Sequence, residues 1–137
     1  MRPFGFPKSE RLNSKKSIET IFLSGKSAFY FPLKAIFTLE DLTGEQAPSQ
    51  ALFVVPKKRF KRAVDRNKLR RRIRESYRLN KHLLNSWCLE NKKLIKIAII
   101  YITSEECDYS VIEKAIERLI IEITLNPETN QLTEESK

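Results

Sequence analysis

Leu69, Ile73 and Tyr77 recur every four residues inside the most basic segment of the chain, VPKKRFKRAVDRNKLRRRIRESYRLNK, residues 55 to 81. An α-helix advances about 100° per residue, so these three side chains form one narrow apolar stripe. Residues 64 to 79 therefore read as a helix that must set the stripe against a core. Arg66, Arg70 and Arg74, also four apart, fall on the flank beside it, together with Asn67, Arg71 and Arg78. Between Lys57 and Arg78 there are twelve Lys or Arg against two acids, Asp65 and Glu75. That is a local net charge of +10 in a chain whose total is +9. Like charges at helical spacing weaken an isolated helix by roughly a few tenths of a kcal/mol per pair, so the row calls for a counter-charge from outside. Phosphate suits it, because the planar guanidinium can donate two parallel hydrogen bonds to one. The alternative, a solvated charged face, normally mixes both signs and is disfavoured here. Asn67 can cap, hydrogen-bond a phosphate, read a base edge, or be a plain surface residue.

A chain of 137 residues fits a single core. Its pI near 9.7, with the charge gathered in one place, favours a polyanion: nucleic acid first, an anionic membrane surface second. The opening MRPFGFPKSERL has no apolar core of a signal peptide. The longest apolar run, IAIIYI at 97 to 102, is far short of the roughly 20 residues of a membrane-spanning helix. A soluble, cytoplasmic protein without membrane attachment is expected. Cys88, Cys107 and the single His82 lack zinc-type spacing, so reduced thiols and no protein-bound metal are expected.

Around the basic helix the pattern is mixed. SKKSIETIFLS, 14 to 24, places Ile18, Ile21 and Phe22 on one face between a serine and Gly25, which predicts a short amphipathic helix. In 29 to 39, Leu33, Ala35, Phe37 and Leu39 alternate with Lys34, Ile36 and Thr38, predicting a strand bent or divided at Pro32. DLTGEQAPSQ at 41 to 50 reads as a turn. ALFVV at 51 to 55 and IKIAIIYIT at 95 to 103 read as inner strands. SVIEKAIERLIIEI has Ser110 and Glu113 in capping-box spacing and apolar Ile112, Ala115, Ile116, Leu119, Ile120 and Ile123, predicting a last helix packed on the sheet. One domain over 1–125 and a disordered polar tail over 126–137 complete the expectation. The fold class is α+β: a sandwich of about four strands in a mixed sheet, with the basic helix inserted before the last strand.

KRAVDRNKLRRRIRE resembles the arginine-rich signature of the bacterial ribonuclease P protein component. Arg66, Asn67, Arg70, Arg71, Arg74 and Glu75 fall on the motif, and PKK at 56 to 58 sits where that family has Lys-Lys ending a strand. Arg11-Leu12, Phe22, Gly25, the strand 95 to 103 and the helix DYSVIEKAIERLI follow in the family's order and spacing. Phe60 replaces a glycine of many members, and 80 to 94, with Trp87 and Cys88, has no placed counterpart. The resemblance implies helix-strand-strand-strand-helix-strand-helix with a left-handed β-α-β crossover, a handedness that periodicity does not supply.

It also implies a function. The family's protein is the subunit of a heteromeric ribonucleoprotein whose partners are a catalytic RNA and the 5′ leader of precursor tRNA. The RNA uses Mg²⁺ to hydrolyse the leader, and the protein binds no cofactor of its own. The chain's lack of a Ser/His/Asp set, a His pair or a carboxylate cluster agrees with such a subunit. RNA-binding candidates are Lys57, Lys58, Lys61, Arg62, Arg66, Asn67, Lys68, Arg70, Arg71, Arg74 and Arg78. Leader-cleft candidates, between the first helix and the sheet, are Ile18, Phe22, Lys34, Ile36 and Thr38. Phe22 reads equally as core. Phe29, Tyr30 and Phe31 could stack on unpaired bases, but core packing is favoured for them. The rival readings are a DNA-binding regulator using the basic helix and a ribosomal or RNA-chaperone protein without a role in cleavage.

Overall fold

The computed structural model describes residues 11, 12, 15–42 and 48–125. The elements, in chain order, are α1 (Lys15–Ser24), β1 (Lys26–Tyr30), β2 (Leu33–Asp41), β3 (Ser49–Val54), α2 (Ala63–Asn91), β4 (Lys93–Tyr101) and α3 (Tyr109–Leu125). One sheet forms in the order β1-β2-β4-β3; β1/β2 and β2/β4 are antiparallel and β3/β4 parallel. This is the expected α+β arrangement, with α2 as the crossover between the two parallel strands. The proposed tail, 126–137, and residues 43–47 of the proposed turn lie outside the described residues.

Pro32 divides the 29–39 segment. Proline has no N–H for a ladder, and the chain reverses at a cis Phe31–Pro32 peptide, so that Tyr30 pairs with Leu33 and Ala28 with Ala35. Strand β1 thus starts at Lys26, earlier than the alternation alone suggested. Tyr30 and Phe31, favoured above as core, are 38% and 49% exposed because they sit at this hairpin tip.

The strand period of two separates the faces of the sheet. Leu33, Ala35, Phe37, Ala51, Phe53, Ile95, Ile97, Ile99 and Tyr101 turn to the layer of α2 and α3, where they meet Leu69, Ile73, Tyr77 and the apolar side of α3. On the other face Ala98, Ile36 and Leu52 meet Leu12, Ile18 and Ile21 from the α1 segment. Arg11 bridges to Ala51 on β3, at one edge, while α1 leads into β1 at the other. Helix α1 therefore crosses the face opposite α2.

Helix α2 is longer than expected. It runs 29 residues to Asn91, and 80 to 94, left unassigned by the sequence, is mostly helix. The buried stripe continues through Ser76, Lys81, Leu84 and Cys88, and its polar members conceal the period. Ser76 is satisfied within the helix, donating to the Ile73 carbonyl at 2.9 Å. Tyr77 Oη donates to Ser49 Oγ at 3.2 Å, which donates to Asn85 Oδ1 at 2.5 Å, tying the second half of the helix to β3. Burial pushes the Cys88 thiol up to about 11, so it is a protonated packing group at neutral pH. Lys92 ends the helix in the left-handed region (φ 56°, ψ 46°), its N–H facing the Cys88 and Leu89 carbonyls, and β4 starts at once.

The start of α3 is also corrected. Asp108, not Ser110, is the capping position: its carbonyl accepts from Val111 and Ile112 N–H at 3.1 and 3.2 Å, and Ser110 already lies inside the first turn. Aspartate caps as well as serine. If the extended stripe holds α2 on the sheet, Leu84→Ala will lower unfolding free energy by about 2–5 kcal/mol, measured by urea denaturation. A loss below about 1 kcal/mol would mean that the second half of the helix is not seated.

Candidate nucleic-acid interface

The basic surface is built from the loop upward. After β3 the chain turns tightly, with Arg59 and Phe60 N–H donating to the Pro56 carbonyl at 3.1 and 3.3 Å. Phe60 tilts over Tyr101 with ring centroids 5.7 Å apart, so the aromatic ring anchors a turn where the resemblance has glycine. Arg66 Nη1 then donates to the carbonyls of Phe60 and Lys61 at 2.8 and 2.9 Å. Arg66 is therefore not equivalent to Arg70 and Arg74, since it fastens the loop to the helix. Lys57, Lys58, Lys61 and Arg62 are exposed on or beside that loop, and Arg62 lies 3.8 Å from Asp65.

Along α2 the cations divide by partner. Arg70 Nη1 donates to Asn67 Oδ1 at 2.7 Å, a neutral partner that orients the guanidinium without cancelling its charge. Asn67, Arg70, Arg71 and Arg74 line one groove of about 330 Å³. A second, of about 510 Å³, is lined by Lys68, Arg71, Arg72, Arg74, Glu75 and Tyr109. Arg71 and Arg74 border both and have no carboxylate within ion-pair distance among the described residues. Arg78, by contrast, pairs with Glu75, and its hydrogen bond holds the Glu75 carboxyl below its ordinary value. Lys68 and Arg72 share Glu106 Oε2 at 3.1 and 3.2 Å.

Of the sequence candidates, the structure brings Asn67, Arg70, Arg71 and Arg74 together, and ties Arg66, Lys68 and Arg78 to groups of the protein itself. Arg72, Glu106 and Tyr109 escaped the sequence reading. Arg72 was legible as the residue four after Lys68. The acid-rich SEECD at 104 to 108 was visible as well, but nothing local says that it reaches α2. Tyr109 Oη is buried and has no hydrogen-bond partner among the described residues, and burial raises its pKa.

The leader-cleft candidates share the opposite face of the sheet. Ile18 and Ile36 meet in the apolar cluster that seats α1, while Phe22 is 49% exposed and is not core. Lys34 and Thr38 lie on either side of Ile36 along β2. Lys96, cross-strand from Thr38, reaches Ser17 Oγ at 3.1 Å and Glu40 Oε2 at 3.3 Å, fixing the helix start to the strands. Gly25 allows the close approach at the other end. A Cβ there would stand 2.4 Å from the Ile21 carbonyl oxygen and 2.8 Å from Ile36 Cγ2.

A mixed sheet carrying α1 on one face, with a guanidinium-rich crossover helix on the other, defines a polyanion-binding α+β protein. Comparisons with known proteins narrow that class. The Ribonuclease P family model matches residues 6–124. The ribonuclease P protein component of Porphyromonas gingivalis is 39% identical over 132 residues, 96% of each chain. That of Chlorobium phaeobacteroides is 33% identical over 128 residues, covering 87% of this chain and 88% of the relative. Among solved structures, the RNase P protein from Thermotoga maritima superposes with a TM-score of 0.64 at 27% identity, over 81% of this chain and 94% of that one. The chain belongs to the ribonuclease P protein component family. No helix among the described residues is long and apolar enough to cross a membrane.

Because a buried, unpaired hydroxyl destabilises the fold, Tyr109→Phe should melt at or above the wild-type temperature, with a gain of up to about 1 kcal/mol. A clear drop in melting temperature in a thermal scan would show that the hydroxyl has a stabilising partner.

Proposed function

We propose that this chain is the protein subunit of ribonuclease P, that the Asn67–Arg70–Arg71–Arg74 surface binds phosphates of the catalytic RNA, and that the α1 face of the sheet receives the 5′ leader of precursor tRNA. The observation that carries the proposal is the unpaired arginine set. Asn67, Arg70, Arg71 and Arg74 are gathered on one flank of a helix whose stripe is fixed in the core, and among the described residues the three arginines have no carboxylate within ion-pair distance. In this reading the RNA with its Mg²⁺ performs the hydrolysis. The chain supplies fixed cationic charge that would otherwise require more metal ion to screen phosphates. Lys57, Lys58, Lys61 and Arg62, exposed at the loop before the helix, extend the positive surface. The two surfaces lie in different layers, which supports a subunit that grips the catalytic RNA on one side and the substrate on the other.

Arg70 separates charge from geometry. Arg70→Ala should weaken binding to the catalytic RNA and make the slope of log K against log salt shallower by about 0.7–0.9 for one lost phosphate contact, with stability unchanged or slightly higher. Arg70→Lys keeps the charge but not the planar fork, so it should retain the slope and lose part of the affinity. An Arg70→Ala protein that melts several degrees lower and binds RNA normally would make the row structural.

Phe22 tests the other face. Its ring is already half in solvent, so Phe22→Ala should fold normally and weaken a precursor tRNA with a leader more than mature tRNA, by about 1–3 kcal/mol if the ring stacks on a base. Equal losses for the two RNAs in a binding assay would remove the leader from this face.

A further inference from the structure

The cation pair that α2 turns toward α3 is occupied by a group of the protein itself. Lys68 and Arg72, one helical turn apart, both contact a single oxygen, Glu106 Oε2, at 3.1 and 3.2 Å. Arg72 also donates from Nη1 to the Cys107 carbonyl at 2.7 Å. The loop that presents Glu106 is held independently of that carboxylate. Tyr101 Oη donates to the Glu105 carbonyl at 2.5 Å and accepts from Cys107 N–H at 2.9 Å, and Glu105 N–H donates to Thr103 Oγ1 at 3.2 Å. Tyr101 is itself buried in the core beneath Phe60. A preformed loop thus delivers one anionic oxygen to an ammonium and a guanidinium, which is the contact that a phosphate oxygen would make.

The neighbouring cations differ. Arg71 and Arg74 line the same groove as Lys68 and Arg72 yet have no carboxylate in ion-pair range among the described residues. Lys68, Arg72 and Glu106 keep 39%, 26% and 43% of their side-chain surface, so the paired cations remain reachable from solvent, while Arg71 and Arg74 are exposed. From this juxtaposition we infer that Glu106 is a specificity-determining residue: an internal counter-ion that takes Lys68 and Arg72 out of the RNA footprint and so sets the border of the RNA-binding surface at Arg71 and Arg74. The inference rests on the reading of α2 as the RNA-binding helix. Without Glu106 the cationic strip would run across the groove to the start of α3, and a phosphodiester chain could engage it in more than one register. With Glu106 in place, a phosphate entering that side meets a carboxylate already seated, and like-charge repulsion directs the backbone toward the Asn67 side.

The test measures the salt dependence of binding to a transcript of the organism's own ribonuclease P RNA, for the wild type, Glu106→Gln, Glu106→Gln with Lys68→Ala, and Arg70→Ala. Circular dichroism checks the fold of each variant, and Glu106→Ala serves as a second removal of the charge. Glu106→Gln should bind more tightly at low salt, with a slope steeper by one to two contacts, about 0.7–0.9 unit each. Adding Lys68→Ala should take back about one contact. A Glu106→Gln slope equal to wild type, alongside a shallower Arg70→Ala slope, overturns the counter-ion role while leaving α2 as the RNA-binding helix. If Arg70→Ala also keeps the wild-type slope, the reading of α2 falls and this inference falls with it.

Discussion

Everything on the basic surface depends on how α2 is seated. Leu69, Ile73 and Tyr77 are almost wholly buried against the sheet, and Leu84 and Cys88 carry the same stripe to the end of the helix. Once the stripe is fixed in the core, helical geometry leaves the residues beside it no choice of direction. Arg70 and Arg74 must stand on one flank, and Lys68 and Arg72 must turn the other way. The Tyr77–Ser49–Asn85 hydrogen bonds fix the helix to β3. A rigid support of this kind reduces the ordering entropy lost when charged side chains bind a ligand.

The concentration of like charge is not left uniform. Arg66 is turned onto backbone carbonyls, Arg78 onto Glu75, and Lys68 with Arg72 onto Glu106. Each of these partners relieves repulsion along the helix and leaves a smaller set without neutralisation. Exposed ion pairs contribute little to stability, so their effect here lies in which cations remain available. The Phe60–Tyr101 contact belongs to the same arrangement. It joins the loop held by Arg66 to the loop that presents Glu106, so both ends of the cationic surface are referred to one buried tyrosine.

On the other side of the sheet, α1 is a lightly anchored layer. Its apolar contacts are a small cluster around Ile21 and Ala98, helped by Lys96 at one end and the close approach at Gly25 at the other. Phe22 and the hairpin-tip aromatics Tyr30 and Phe31 remain in solvent. Tyr30 borders α3, lining a groove with Arg118, Leu119 and Glu122, so Phe22 is the half-exposed ring carried by α1 itself.

The element order, the inward set Leu33, Ala35, Phe37, the stripe of α2 and the apolar side of α3 could be read from the chain, because each is a local period in the pattern of apolar residues. The arginine flank followed from the same period, and the family from the residues on it. Other features were not legible because they depend on groups distant in sequence. Lys81 and Ser76 interrupt the apolar pattern of α2, and only the packing of that helix on the sheet shows that they are buried members of the stripe. Asp108 displaced Ser110 as the cap of α3, two good capping residues between which the local pattern does not decide. The Glu75–Arg78 pair is local to the helix, but only tertiary structure determined that Lys68 and Arg72 are paired. Glu106 lies 34 residues beyond Arg72 and meets it only because Tyr101 holds the intervening loop against α2. A sequence lists charges, but an ion pair needs two of them within a few ångströms, and that distance is set by the packed fold.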